Sequence, residues 1–211
     1  MYQVNEVFNT IQGEGMLAGT PATFIRLQGC TVGCPWCDTQ YTWKAGGTKW
    51  ETQALVESLD LLPLVVITGG EPTLYDLDDL LIKLRAAGQR RWGYKFKIQM
   101  ETSGQNELKG SVTPDWVTWS PKHNLHFQIP TPLHRYIAEI KWVVDDDLDF
   151  VVVESTFNMI RARQPLHEVH NVLMPEGCPP SKEHIDRALQ ALKEHPTWHF
   201  SDRIQWRIGV K

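Results

Sequence analysis

The chain has 211 residues, a formal net charge of −4, 42% hydrophobic residues and 22% charged residues. That length suits one sizeable core, and mild acidity without a Lys/Arg block argues against nucleic acid as the direct substrate. No apolar run approaches the roughly 18 residues of a spanning helix, and MYQVNEVFNT lacks the basic-then-apolar pattern of a secretion signal. The expectation is a cytoplasmic protein forming one domain over residues 1–211, away from membranes.

In chain order, Ala22–Leu27 (ATFIRL) is expected as the first strand, ending where a cysteine-rich loop begins. Thr52–Leu61 has helical spacing, and Leu64–Thr68 (LVVIT) is a short apolar run stopped by Gly69 and Gly70. Such runs suit strands buried on both faces of a parallel sheet. Asp76–Ala87 predicts a helix that opens on an Asp N-cap and ends at Gly88. Lys95–Glu101, Trp116–Trp119, Ala138–Val144 and Asn171–Met174 are further strand candidates, followed by a helix from about Ser181 to Glu194. Within Asp145–Pro165 the stretch FVVVE is strand-like where the alternation calls for a helix. Alternating strands and helices imply an α/β fold with a mostly parallel sheet. Ligands then collect at the carboxyl ends of the strands. The residues suited to chemistry recur at those ends, in Gly29–Cys37, Thr68–Pro72, Glu101–Gly104 and Ser120–Lys122.

Of the four cysteines, Cys178 stands alone in MPEGCPP with no neighbouring base, an incidental thiol. Cys30, Cys34 and Cys37 crowd together, which in a reducing compartment points to a metal or redox motif rather than to disulfides. The spacing Cys30-x-x-x-Cys34-x-x-Cys37, with Trp36 before the third cysteine, resembles the signature loop of the radical S-adenosylmethionine superfamily. Four cysteines would close a cubane 4Fe–4S cluster; three leave one iron open to the amino and carboxylate groups of S-adenosylmethionine. A zinc site is the alternative, and it needs a fourth ligand from Cys178, Asp38 or a histidine.

Thr68-Gly69-Gly70-Glu71-Pro72 resembles the superfamily's GGE motif, where glycine lets main-chain carbonyls approach a ligand closely. On its own it is equally a strand-to-helix turn. Glu101-Thr102-Ser103-Gly104, Ser120-Pro121-Lys122 and Met174–Gly177 resemble further cofactor contacts, although each also reads as a turn or capping loop. Arg26, a charge inside an apolar strand, requires a partner, either a structural carboxylate or a ligand anion. His123 with His126, and His167 with His170, have helix-like spacing, but no glutamate sits at the offset a zinc protease needs.

Together TIQGEG, GTPATFIRLQGC, CPWCDT, VITGGEP, ETSG and SPK resemble the 7-carboxy-7-deazaguanine synthase family, continuously over Asn5–Thr42 and then by motifs to about Lys141. The resemblance implies an incomplete parallel βα barrel of the radical S-adenosylmethionine type and a carbon–nitrogen lyase. The implied reaction takes 6-carboxy-5,6,7,8-tetrahydropterin to 7-carboxy-7-deazaguanine with loss of ammonia, in queuosine and 7-deazapurine biosynthesis. It begins with hydrogen removal from pterin carbon 6 by a 5′-deoxyadenosyl radical, with no catalytic residue beyond the cluster and cofactor.

By position, the resemblance gives Cys30, Cys34 and Cys37 to the 4Fe–4S cluster and Thr39 to Mg²⁺. It gives Trp36, Cys37, Asp38, Gly70 and Glu101 to S-adenosylmethionine, with Ser120, Pro121 and Lys122, and Met174, Pro175, Glu176 and Gly177. The substrate is implied to meet Ile11, Gln12, Gly13, Glu14, Arg26 and Thr68. Lys211 would present the C-terminal carboxylate, although QWRIGVK departs from the expected tail. The implied partners are an external electron donor of the flavodoxin or ferredoxin type and a second copy of the chain as a homodimer. A glycyl-radical activase and a non-enzymatic metal-binding module are the alternative readings.

Overall fold

Among the described residues, a single nine-stranded sheet runs in the order β3-β1-β2-β4-β5-β6-β7-β8-β9. The computed structural model describes residues 1–127, 133–164 and 168–211. The strands are β1 (Tyr2–Ile11), β2 (Pro21–Leu27), β3 (Thr48–Trp50), β4 (Leu64–Thr68), β5 (Lys97–Thr102), β6 (Trp116–Trp119), β7 (Ile137–Val144), β8 (His170–Pro175) and β9 (His199–Phe200). Pairing is parallel from β2 through β9, while β1 lies antiparallel to both β2 and β3. Among the described residues the sheet keeps two free edges, β3 and β9, so it is open, as an incomplete barrel is. Helices α1 (Thr52–Glu57), α2 (Asp78–Trp92), α3 (Phe150–Arg163) and α4 (Lys182–Glu194) connect or follow the parallel strands, and a short α5 (Ile204–Arg207) comes last. Among the described residues, no helix is long and apolar enough to cross a membrane.

The parallel strands read as continuous apolar runs because both of their faces are covered. Every residue of β4 is buried, and α2 lays Leu80, Leu81 and Leu84 on a cluster that includes Ile25, Ile67, Ile98 and Met100. A second cluster around Trp119, Trp142 and Leu173 is covered by Val153, Phe157 and Ile160 of α3 and by Ala188 and Ala191 of α4.

Four expectations from sequence are corrected. The first strand is β1, not Ala22–Leu27, and it forms a hairpin with β2. FVVVE is the opening of α3, not strand-like chain: Asp149 caps it by accepting Val151 N–H, and Val153, Phe157 and Ile160 recur at helical spacing on the buried face. The helix over Thr52–Leu61 stops at Glu57. Gly88 does not end α2 but lies inside it, where a Cβ would come within 2.3 Å of the Phe96 ring. Gly93, at φ 60°, makes the exit. At the other end Asp76 accepts Asp78 N–H at 3.0 Å, one position outside the Leu77 cap.

Candidate active site

The carboxyl ends of β2, β4, β5, β6, β7 and β8 surround one cavity of about 210 Å³. The cysteine loop crosses its mouth. Gly29 N–H donates to Thr42 carbonyl at 2.7 Å, Glu71 N–H to Gly29 carbonyl at 2.8 Å, and Gly70 N–H to the Thr42 hydroxyl at 3.0 Å. A Cβ on Gly70 would lie 2.3 Å from the Gly29 carbonyl oxygen, so this crossing requires glycine. The loop is thus tied by main chain to the TGGEP turn.

Cys30, Cys34 and Cys37 all border the cavity as free thiols, Cys34 buried and the other two half-buried. Burial pushes the Cys30 and Cys34 thiols up, and the neighbouring cysteines add to it. Such thiols ionise readily only beside a cationic group, which suits metal ligation. A cubane cluster spreads its cysteines over separate irons, and three free thiols of one loop bordering one cavity match that donor set.

Glu71 braces one side of the cavity. It is 1% exposed and accepts Thr73 N–H at 3.0 Å, the Thr73 hydroxyl at 2.8 Å, Ser103 N–H at 2.9 Å, and the hydroxyls of Thr102 and Ser103. One carboxylate therefore joins the turn after β4 to the ETSG segment after β5. Lys122 donates to Ser120 Oγ at 2.9 Å and lies 4.8 Å from the Trp36 ring centre, linking SPK to the cysteine loop. The cation over the ring favours that closure.

The opposite wall is ionic. Lys141 Nζ donates to Glu14 at 2.6 Å and lies 3.6 Å from Glu101, whose other oxygen accepts the Thr68 hydroxyl at 2.8 Å. Gln205 donates to Glu14 at 3.0 Å, and Arg203 Nε lies 3.5 Å from it. Burial opposes charge on Glu14, but Lys141 and Arg203 overcome it and hold the carboxyl at about 2. Burial likewise opposes the Lys141 ammonium, and Glu101 and Glu14 win, carrying it above the usual lysine range. Arg26 lines the same wall, its Nε donating to Glu6 at 2.8 Å. Its structural carboxylate is therefore present, and its guanidinium also lies 5.7 Å from the Phe8 ring centre.

Of the residues implied by resemblance, the three cysteines, Thr39, Trp36, Asp38, Gly70, Glu101, Ser120, Lys122, Met174, Glu14, Arg26 and Thr68 border this one space. Pro121, Pro175, Glu176, Gly177, Ile11, Gln12, Gly13 and Lys211 lie outside its lining. Gln12 stands just behind it, buried, donating to Gln99 at 2.8 Å and Glu101 at 3.2 Å. Gly13 accepts Ile204 N–H at 3.1 Å, docking α5. Lys211 reaches Glu6, the partner of Arg26, and lies 4.9 Å from the Phe8 ring centre. The Thr39 hydroxyl caps no backbone group and sits 3.5 Å from Cys37 Sγ. Pro175–Gly177 continue β8, with Glu176 N–H on Val144 carbonyl at 2.9 Å. His123 faces Asp145 at 3.3 Å, His126 follows a short turn in the left-handed region, His170 stacks on Trp116, and His167 lies outside the described residues. Cys178 is exposed and away from the cavity.

Lys141, Phe24, Trp43 and Val143 also border the cavity without having been expected there, as does Glu71, which had no expected role. For Lys141 the signal was available: a charge within the apolar strand IAEIKWVV poses the same question as Arg26.

No family model matches the chain. It is 34% identical to the 7-carboxy-7-deazaguanine synthase of Buchnera aphidicola subsp. Schizaphis graminum, over 100% of this chain and 99% of that protein. Identity to the enzyme of the same name from Synechocystis sp. is 36%, covering 100% and 94%. The crystal structure of QueE from Escherichia coli superposes with a TM-score of 0.77 at 29% identity, over 96% of this chain and 94% of that one. With relatives matched along their whole length and the cysteine loop, TGGEP, ETSG and SPK drawn around one cavity, this chain belongs to the 7-carboxy-7-deazaguanine synthase family of enzymes.

Proposed function

We propose that the cavity converts 6-carboxy-5,6,7,8-tetrahydropterin to 7-carboxy-7-deazaguanine with loss of ammonia, using S-adenosylmethionine and a 4Fe–4S cluster, in 7-deazapurine biosynthesis leading to queuosine. The observation that carries this reading is the division of one cavity between a three-cysteine loop and an ionic wall of Arg26, Glu14, Glu101 and Lys141. When bound, the cluster supplies the electron that splits S-adenosylmethionine into methionine and the radical that takes hydrogen from the pterin.

The chain's own residues hold and orient. Cys30, Cys34 and Cys37 ligate the cluster. Gly70, Glu101, Ser120, Lys122 and Met174 border the cofactor beside Trp36, Cys37 and Asp38, while Pro121 and Pro175–Gly177 shape the loops behind. Arg26 offers its guanidinium to the substrate carboxylate, with Glu14 and Thr68 on the pterin and Gln12 and Gly13 supporting the segment that carries Glu14. Thr39 has a hydroxyl free of any cap, which fits one ligand of a Mg²⁺ shell otherwise made of substrate carboxylate and water. The Lys211 side chain on Glu6 keeps the tail beside Arg26's partner. The reading extends to a single cytoplasmic domain, a homodimer and an external flavodoxin- or ferredoxin-type donor.

The test is anaerobic turnover of the carboxypterin with S-adenosylmethionine, Mg²⁺ and a strong reductant, product being read by mass spectrometry. The same assay is run on Cys34→Ala and Cys178→Ala. Product from the wild type and Cys178→Ala, with loss of the brown chromophore and of cofactor cleavage in Cys34→Ala, is expected. A wild-type enzyme with an intact cluster and no product from this pterin would sink the assignment.

A further inference from the structure

Three successive residues of the QGEGM segment are each held by a different group from the far half of the chain. Glu14 meets Lys141, Arg203 and Gln205; Gly15 N–H donates to Ser201 Oγ at 2.8 Å; Met16 N–H donates to Glu139 Oε2 at 2.7 Å. Glu139 is 1% exposed, and its Oε1 is buried without a hydrogen-bond partner. A Cβ on Gly15, which sits at φ 70°, would lie 2.2 Å from that oxygen, so the loop backbone rests directly on the carboxyl group. Glu139 and Lys141, two apart on β7, share one face of the strand. Lys141 enters the cavity wall, and Glu139 stays behind it.

We propose that Glu139 is a positioning residue for the substrate: it latches the Gln12–Leu17 segment onto β7, and so fixes Glu14 and Lys141 in the wall that receives the pterin. A buried carboxyl with an open lone pair is costly to keep. An apolar residue would fill the same space without that cost but could not accept Met16 N–H. Burial pushes Glu139 up to about 7, Met16 N–H and Lys141 drawing it down and Glu101 and Glu14 pushing it up. Near neutrality it is therefore poised between its neutral and charged forms, and in either form its Oε2 can accept Met16 N–H. The inference rests on the substrate wall proposed above.

The test compares Glu139→Leu, which keeps bulk but no acceptor, with Glu139→Gln, which keeps an acceptor. Both are prepared as holoenzyme with a full cluster. Glu139→Leu is expected to speed amide exchange across Gly15–Leu17 and to raise KM for the carboxypterin by roughly 10-fold or more, as loss of one buried hydrogen bond would do. The kcat should change less, and cleavage of S-adenosylmethionine without pterin should be unchanged. Glu139→Gln should restore both exchange and KM. An unchanged KM or unchanged loop exchange in Glu139→Leu overturns the latch, as does a Gln variant as impaired as Leu. Wild-type turnover is the control: if the wild type does not convert this pterin, the reaction is wrong, while the exchange comparison still decides the latch.

Discussion

Glu71 offers a sharp separation between a ligand for the cofactor and a strut for the loops around it. It lies in the cavity lining, yet both of its oxygens are occupied by Thr73, Thr102 and Ser103. In Glu71→Ala the hydroxyls can turn elsewhere, but Thr73 N–H and Ser103 N–H stay buried and lose their acceptor. Each such unpaired group costs about 1–3 kcal/mol, giving roughly 2–6 kcal/mol in all. Against a net stability of about 5–15 kcal/mol for a typical domain, that loss is large. Glu71→Gln keeps one acceptor oxygen and turns an NH₂ toward donors on the other side, leaving one N–H unpaired, so it should cost about half as much, roughly 1–3 kcal/mol. Urea unfolding of anaerobic protein, followed by tryptophan fluorescence, reads both values as a lowered midpoint with little change in slope. Binding of S-adenosylmethionine to folded Glu71→Gln should weaken only modestly. Full stability combined with lost cofactor binding would refute the strut and make Glu71 a ligand.

Arg26→Ala should weaken carboxypterin binding about 10- to 100-fold by calorimetry, with S-adenosylmethionine affinity nearly unchanged, since charge-assisted bonds contribute roughly 1.5–3 kcal/mol. Unchanged pterin affinity would leave Arg26 as the partner of Glu6 alone. Removing Mg²⁺, or making Thr39→Ala, should slow product formation and raise abortive 5′-deoxyadenosine relative to product, because displaced reactants can lose about 100-fold in rate. Equal product ratios in metal-free enzyme would exclude that role. Glu139 also predicts a pH dependence of stability. Its folded value, about 7, lies above the ordinary 4.5, so its stabilising proton is held fully below about 4.5 and lost as pH rises through 7. Glu139→Gln should therefore match the wild type at low pH and exceed it by up to about 3 kcal/mol at pH 8, in urea melts. A difference that does not grow with pH would contradict this.

What the sequence made legible follows from how local each signal is. The β4 strand was readable residue for residue because an apolar run ending in two glycines has few other interpretations in an α/β chain. The cysteine loop was readable because Cys30, Cys34 and Cys37 lie close together in one short stretch of chain. FVVVE misled because β-branched composition competes with spacing, and tertiary burial of Val153, Phe157 and Ile160 decided for the helix. Gly88 misled because a glycine demanded by packing against Phe96 looks the same in sequence as a helix terminator. The ionic wall was the least legible part, since Glu14 meets Lys141, Arg203 and Gln205 across most of the chain.

That difference in range separates two ways of building one site. The wall with the cysteine loop is held by main-chain hydrogen bonds from Gly29 to Thr42 within the loop and from Glu71, after the adjacent strand, to Gly29, with Glu71 repeating the device between β4 and β5. The parallel sheet supplies that alignment, because neighbouring strands in register bring their following turns together. The ionic wall cannot be built so, because β1 and β7 are separated by four strands in the open sheet. There the segment after β1 has to reach across the cavity, and side chains of high charge density hold it where no ladder exists. Buried ion pairs add little net stability, but losing one partner is expensive, so they fix a geometry more firmly than they stabilise the fold. The segment carrying Glu14 therefore gains its position from charges of which Lys141 also lines the cavity. A perturbation of Lys141 or Arg203 should accordingly change pterin recognition and the closure of the partial barrel together.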